Sequence, residues 1–241
     1  MNHKVPIRVD SRFRLGDVLG SGSYVAIKLE SITAQPSSVQ HEYAILKQLE
    51  GGVGIPHTLC LHTVVDLGIQ LISRFLSRLE YSHSNNYVHC DIKPQNVLVG
   101  LGHLKHTAFI IDFGIVKEYW DTATRVHIPF CQNQCLTGTP AFASINNHLG
   151  VDLGHRDDLE SLTYMLIYLL RGSLPWLTSD SEKLSSSSVL ECKVNTTIEV
   201  LCDGIPIKFA SVLIYTCSLA FSEDPDYGHL RSLLCGPSNL Q

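Results

Sequence analysis

Charge is the first thing this chain is short of. Asp, Glu, Lys and Arg make up 17% of its 241 residues, against roughly a quarter in an ordinary soluble domain. The 18 Lys and Arg are scattered and outnumbered by 23 Asp and Glu, for a formal charge of −5. That excludes a basic field for nucleic acid and a polybasic membrane anchor. Long apolar runs are also missing. The longest, Tyr164–Leu170 and Ala108–Ile111, fall far short of the roughly 18 residues of a spanning helix, so no membrane span is expected. The segment Met1–Arg8 has no apolar secretory core. None of the 8 cysteines, at positions 60, 90, 131, 135, 192, 202, 217 and 235, forms a C-x-x-C pair. Free thiols in a cytoplasmic or nuclear protein are therefore expected. His127, Cys131 and Cys135 are three potential metal ligands at an uncharacteristic spacing, and ordinary loop thiols are the preferred reading. With 44% hydrophobic residues, such a chain either buries an unusual share of itself or shows apolar surface to a protein partner.

What is present is a change of character along the chain. Phe13–Leu19 alternates like a strand, and Val25–Leu29 reads as another. A helix follows around Val39–Leu49 and stops at Gly51-Gly52. Beyond this small β-containing part the pattern turns helical. Apolar residues at 65, 69, 72, 76 and 79 mark one face of a helix running to Ser84. From Asp158 to Leu170 a second helix is apolar nearly all round, as expected inside a core, with Asp157 and Asp158 placed to cap its start. Ser179–Ser188 is polar, small and low in complexity, and reads as a loop.

Four constellations carry chemistry, in fixed order. Gly20-Ser-Gly22 is a glycine-rich turn after a strand, weak evidence alone. Lys28 stands on the next strand with Glu42 on the following helix, a pair able to present an ammonium to nucleotide phosphates. The octet His89-Cys-Asp-Ile-Lys-Pro-Gln-Asn96 offers Asp91 to accept a hydroxyl proton, Lys93 to neutralise a transferring phosphoryl group and Asn96 as a hard oxygen ligand. Ile110-Ile-Asp-Phe-Gly114 then adds Asp112 as a second ligand for Mg²⁺. The octet followed by D-F-G at this distance is the specific signal.

On these residues the chain resembles protein kinases, and among them the casein kinase I group of serine/threonine kinases. Ser144-Ile-Asn146 stands where most kinases carry A-P-E, and Arg156–Leu162, Gly172–Trp176, Thr197–Cys202 and Asp224–Tyr227 resemble later segments of that group. The resemblance runs from residue 12 to 234. It implies an α+β, bilobal kinase fold, with residues 1–62 as a reduced β-containing N-lobe and residues 63–241 as a mainly helical C-lobe. It further implies ATP and Mg²⁺ as cosubstrate and cofactor, and proteins as substrates. Asp91 would be the catalytic base, Lys93 a phosphate contact, Asn96 and Asp112 the metal ligands. Gly20, Gly22, Lys28 and Glu42 would bind the nucleotide, and Asp158 would anchor the catalytic loop.

Several positions depart from the pattern. Between Gly20 and the lysine strand only Ser21–Tyr24 remain for both the turn and the second strand of a phosphate lid, which is too few. Ahead of the first long helix only residues 57–63 remain, where the resemblance calls for two strands and an adenine-binding hinge; two strands alone need about ten residues. Cys90 replaces the arginine of H-R-D, and a His89–Cys90 nucleophile is disfavoured because sequence neighbours seldom face each other. Ala141 stands where the group carries arginine, and Ser185–Ser188 replaces a basic stretch, which removes cations from the substrate side. The last C-lobe helix is expected to be short. Three readings therefore stay open: an active kinase, a pseudokinase serving as a protein-binding platform, and a gene model that omits two segments.

Overall fold

The computed structural model describes residues 8–10, 13–14, 24–25, 64–100, 107–177 and 185–235. Gly20, Gly22, Lys28, Glu42, the expected helix at 39–49 and most of the expected lysine strand lie outside the described residues. In the amino-terminal part, β1 (Arg8–Asp10) pairs with β2 (Phe13–Arg14), so the alternation read from Phe13 begins a strand. The strand read at Val25 starts one residue earlier as β3 (Tyr24–Val25).

The first long helix, α1 (Val64–Ser84), agrees with the periodicity that foretold it. Ile72, Phe75, Leu76, Leu79 and His83 are buried along one stripe, which is the geometry of residues three and four apart. Next come β4 (Tyr87–Val88), a single 3-10 turn over Pro94–Asn96, β5 (Val97–Gly100) and β6 (Ala108–Ile110). β5 and β6 form an antiparallel pair with Val97 opposite Ile110, and β3 joins β5 on its other edge, Val25 opposite Val99. Three short strands follow: β7 (Lys117–Glu118), paired with β4, and β8 (Trp120–Asp121) with β9 (Val126–His127).

The rest is helical: α2 (Ile145–His148), α3 (His155–Arg171), α4 (Ser186–Asn195), α5 (Ile198–Leu201), α6 (Lys208–Ser218) and α7 (Tyr227–Cys235). The described residues thus combine helices with small sheets in an α+β composition. α3 is the axle: His155 and every residue from Asp157 to Ile167 are buried. It packs against α1 and α6, while α7 closes against α1 and α6. α3 ends at Gly172, which takes the left-handed turn (φ 75°) that stops helices.

Two expectations are corrected. The run Ser185–Ser188 was read as loop, yet Ser185 is an N-cap whose Oγ accepts the Ser188 N–H at 3.2 Å, and α4 starts at Ser186. A serine run offers good caps as well as good loops, and burial of Val189 and Lys193 one turn apart decides for the helix. Of the two aspartates expected to cap α3, only Asp157 does so, accepting the Gly154 N–H at 2.8 Å. Asp158 turns away from its own helix.

Leu79 is 0% exposed in the main core. Leu79→Ala is expected to cost about 2–5 kcal/mol, measured as a lower urea midpoint at unchanged slope. A cost below about 1 kcal/mol would contradict the packing of α1.

Candidate active site

Residues 89–93 form an irregular loop between β4 and the 3-10 turn, and an irregular loop needs its backbone donors satisfied. Asp158 supplies the acceptors. Its Oδ2 takes the His89 N–H at 2.6 Å and its Oδ1 the Cys90 N–H at 2.9 Å, and His83 Nε2 lies 2.8 Å from Oδ2. His83 also hydrogen-bonds the Tyr227 hydroxyl, and Tyr119 donates to the His83 carbonyl. Burial alone would push the Asp158 carboxyl up. The hydrogen bond from His83, the charges of His83 and His89 and the His89 N–H outweigh it, leaving the group below the usual carboxylate range. The anchoring role expected of Asp158 is thus visible as three contacts, and His83, which the sequence reading passed over, completes it.

With its neighbours gripped, Cys90 adopts φ 67°, a left-handed conformation that costs a non-glycine residue about 1–2 kcal/mol. Its thiol points back to the Val88 carbonyl at 3.5 Å. Burial, reinforced by the Asp158 charge, pushes the thiol well above its ordinary range. His89 is turned elsewhere, with Nε2 3.1 Å from the Ile111 carbonyl and Nδ1 accepting the Asp91 N–H at 3.3 Å. A Cys–His nucleophile is excluded on both counts.

Asp91 is held on three sides. Lys93 Nζ donates to Oδ2 at 2.5 Å, Asn96 Nδ2 to the same oxygen at 3.1 Å and to the Asp91 carbonyl at 2.9 Å, and the Thr139 N–H to Oδ1 at 2.9 Å. Lys93 Nζ also donates to Thr139 Oγ1 at 2.9 Å. Asp91, Lys93 and Asn96, singled out by motif, therefore meet in one cluster. Thr139 joins it from 48 positions away, a partner that only the T-G-T pattern around Gly138 could have signalled. Gly138 has φ 72°, and a Cβ there would sit 2.6 Å from the Cys90 carbonyl oxygen and 2.9 Å from Asp91 Oδ1. The loop touches the Asp91 loop closely because that atom is absent.

Asp112 is brought in by strand register. Val97 opposes Ile110, and the Ile111 N–H donates to the Asn96 carbonyl at 2.9 Å, so the Asp112 backbone stands one residue past that bond, and its Oδ1 accepts the Gly114 N–H at 3.4 Å. Its carboxylate is exposed, and its backbone is left-handed at φ 67°. With Asn96 Nδ2 committed to Asp91, the amide oxygen remains for a cation. An amide oxygen and a carboxylate suit the hard-oxygen preference of Mg²⁺, so these two residues fit the metal the resemblance implies. Phe113 is exposed beside them, edge-on to His89 at 5.1 Å.

Beyond Thr139 the chain is tied down. Ser144 caps α2 and donates to Asp157 Oδ1 at 2.6 Å, and Asn146 Nδ2 donates to the same oxygen at 3.1 Å. Two members of Ser144-Ile-Asn146 thus lock onto the start of α3. Asn147 exchanges two hydrogen bonds with the Thr137 backbone at 3.0 and 2.9 Å. His127, Cys131 and Cys135 build no cluster: no group of three metal-ligating side chains is found among the described residues. Nor is any helix among them long and apolar enough to cross a membrane.

Residues 63–216 match the family described as Protein kinase domain. The match covers more than half of the chain and includes Asp91, Lys93, Asn96, Asp112, Gly138, Thr139 and Asp158.

Two measurements test this geometry. Gly138→Ala is expected to destabilise by about 1–2 kcal/mol from its backbone conformation alone, and to loosen Asp91 through the contact with the Cys90 carbonyl. An unchanged melting temperature would overturn that account. His155, stacked on His83 at 4.6 Å and edge-on to Tyr119, has its pKa pulled down to about 4 by burial first and by the His83 charge next. A hydrogen bond to the Glu223 backbone and the Asp158 charge oppose this only in part; Asp224 Oδ1, 3.6 Å from Nδ1, is solvent-exposed, and Nε2 has no partner among the described residues. The unfolded chain takes up this proton near pH 6.5 and the folded chain only near 4. Stability is therefore complete above about pH 6.5 and falls as the pH drops toward 4, by roughly 2–3 kcal/mol. Urea midpoints across that range should fall for the wild type and flatten in His155→Gln.

Proposed function

Since the chain belongs to the protein kinase family, we propose that it is a serine/threonine kinase of casein kinase I type, transferring the γ-phosphoryl group of ATP to protein hydroxyls. The observation that carries this reading is the single hydrogen-bonded cluster of Asp91, Lys93, Asn96 and Thr139, with Asp112 one residue past the backbone bond between Ile111 and Asn96. Support for the subgroup comes from Ser144 and Asn146, whose side chains converge on Asp157.

In this reading Asp91, oriented by Thr139 and Lys93, receives the proton of the acceptor hydroxyl. Lys93, held between Asp91 and Thr139, brings positive charge next to that oxygen, where the phosphoryl group arrives. Asn96 and Asp112 would hold Mg²⁺. Bound Mg-ATP supplies the phosphoryl group and neutralises charge on it, and catalysis is otherwise positioning. Without an arginine at 141 or a basic run at 185–188, this reading does not extend to a preference for acidic or phosphorylated flanks.

A second reading, a protein-binding platform without catalysis, is favoured by one observation. α1 begins at Val64, so the interval 57–63 leaves no room for two strands and a hinge. Exposed Ile207, Ile214, Val194 and Val200 would suit such a use.

Thermal melting with Mg-ATP separates the two. A ligand at a hundred times its dissociation constant adds about 2.7 kcal/mol, which is roughly 5–10 °C for a domain of this size. The kinase reading expects that shift, with phosphotransfer lowered at least ~100-fold in Asp91→Asn. A cooperatively melting chain with neither shift nor transfer would leave the platform.

A further inference from the structure

Lys193 is 3% exposed, and none of the catalytic groups explains why a lysine is buried there. It projects from α4 beneath residues 139–145. Its Nζ donates to the Pro140 carbonyl at 3.0 Å and to the Ala143 carbonyl, and lies over the rings of Tyr164 at 4.7 Å and Trp176 at 5.1 Å. These are its direct partners among the described residues. The Glu160 carboxylate makes no ion pair with it and acts through space; its Oε1 accepts the Ile145 N–H and the Tyr164 hydroxyl, both at 2.8 Å.

The carbonyls above it face inward as a set. Trp176 Nε1 donates to Ala141 O at 2.8 Å, and His148 Nε2 shares Pro140 O at 2.9 Å. The Thr139 carbonyl turns the other way, accepting the N–H groups of Phe142 and Ala143 at 3.0 Å each. Lys193 therefore bridges two carbonyls across the turn whose first residue, Thr139, holds both Asp91 and Lys93.

We propose that Lys193 is a positioning residue: by clamping the Pro140 and Ala143 carbonyls it holds Thr139 against Asp91 and keeps residues 139–145 as a preformed seat for the protein substrate. The clamp rests on the kinase reading of Asp91, and its test separates the two. A buried cation is costly, and burial pulls the Lys193 pKa down and pushes that of Glu160 up. An apolar residue would fill the space under Trp176 at lower cost but would leave the Ala143 carbonyl unpaired and the Pro140 carbonyl held by His148 alone.

The experiment compares wild type, Lys193→Met and the double variant Lys193→Met/Glu160→Gln by amide hydrogen exchange. It also measures transfer from Mg-ATP to a panel of single-serine peptides. The double variant removes the buried charge left by the single one and so recovers the fold if the single variant loses it. In both, exchange at Phe142, Ala143 and Ile145 should quicken ~10–100-fold while α3 and α6 keep wild-type rates. The specificity constant for peptide should fall by a similar factor with KM for ATP unchanged. If the double variant restores wild-type exchange in residues 139–145, Lys193 is only a counterion of Glu160 and the proposal is overturned. Unchanged exchange in the single variant overturns it as well. A wild-type chain that transfers no phosphoryl group counts against the kinase reading alone, and the exchange rates still decide the clamp.

Discussion

The carboxylate of Asp158 is the interaction on which the rest depends. It is fully buried, which would be prohibitive for an unpaired charge. It persists because two backbone N–H groups and an imidazole converge on it. These three donors come from different parts of the chain. His83 lies at the end of α1, the two N–H groups belong to the 89–93 loop, and the carboxylate belongs to the core helix α3. Tyr227, at the start of α7, adds a further tie through His83. One anion thus gathers three helices and a loop, and the unfavourable backbone at Cys90 is offset by the bonds it makes possible.

From that anchor the site is built by short steps in the chain. His89 and Cys90 are gripped, so Asp91 follows in a set direction. Asn96 returns its side chain to Asp91 and its carbonyl to Ile111, so the strand pair that begins there delivers Asp112. Only Thr139 arrives from far away, and it does so on a segment with its own supports in Trp176, Lys193 and Asp157. Rigid elements hold the ends while irregular backbone carries the chemistry, the usual division between scaffold and loop.

This division also explains what could be read from the sequence. The meeting of Asp91, Lys93 and Asn96 was legible because the three groups lie within six positions of the chain and fold into one hydrogen-bonded cluster. α1 and α3 were legible from apolar period. Partners joined only by folding were not: His83 with Asp158, Thr139 with Asp91, Lys193 with Pro140 and Ala143. A lysine in a helix of low apolar content reads as a surface charge until the rings of Tyr164 and Trp176 are placed around it. Asp158 was misread in one respect, since a carboxylate in the first turn suggests a cap. Its neighbour Asp157 takes that duty and leaves it free. Serines 185–188 were misread because capping chemistry and loop chemistry use the same residue.

Cys90 carries a consequence of its own. Its sulfur is sealed in a small cluster with Val88, Tyr119 and Leu153, and its proton is held tightly by the low-dielectric surroundings and the neighbouring anion. An alkylating reagent needs both access and a thiolate, and the folded loop denies both. Labelling of this sulfur accordingly proceeds only in molecules whose 89–93 loop or its cover of Tyr119 and Leu153 has opened. With cysteine between His89 and Asp91, the rate at which this thiol is alkylated would time the opening of the loop around it.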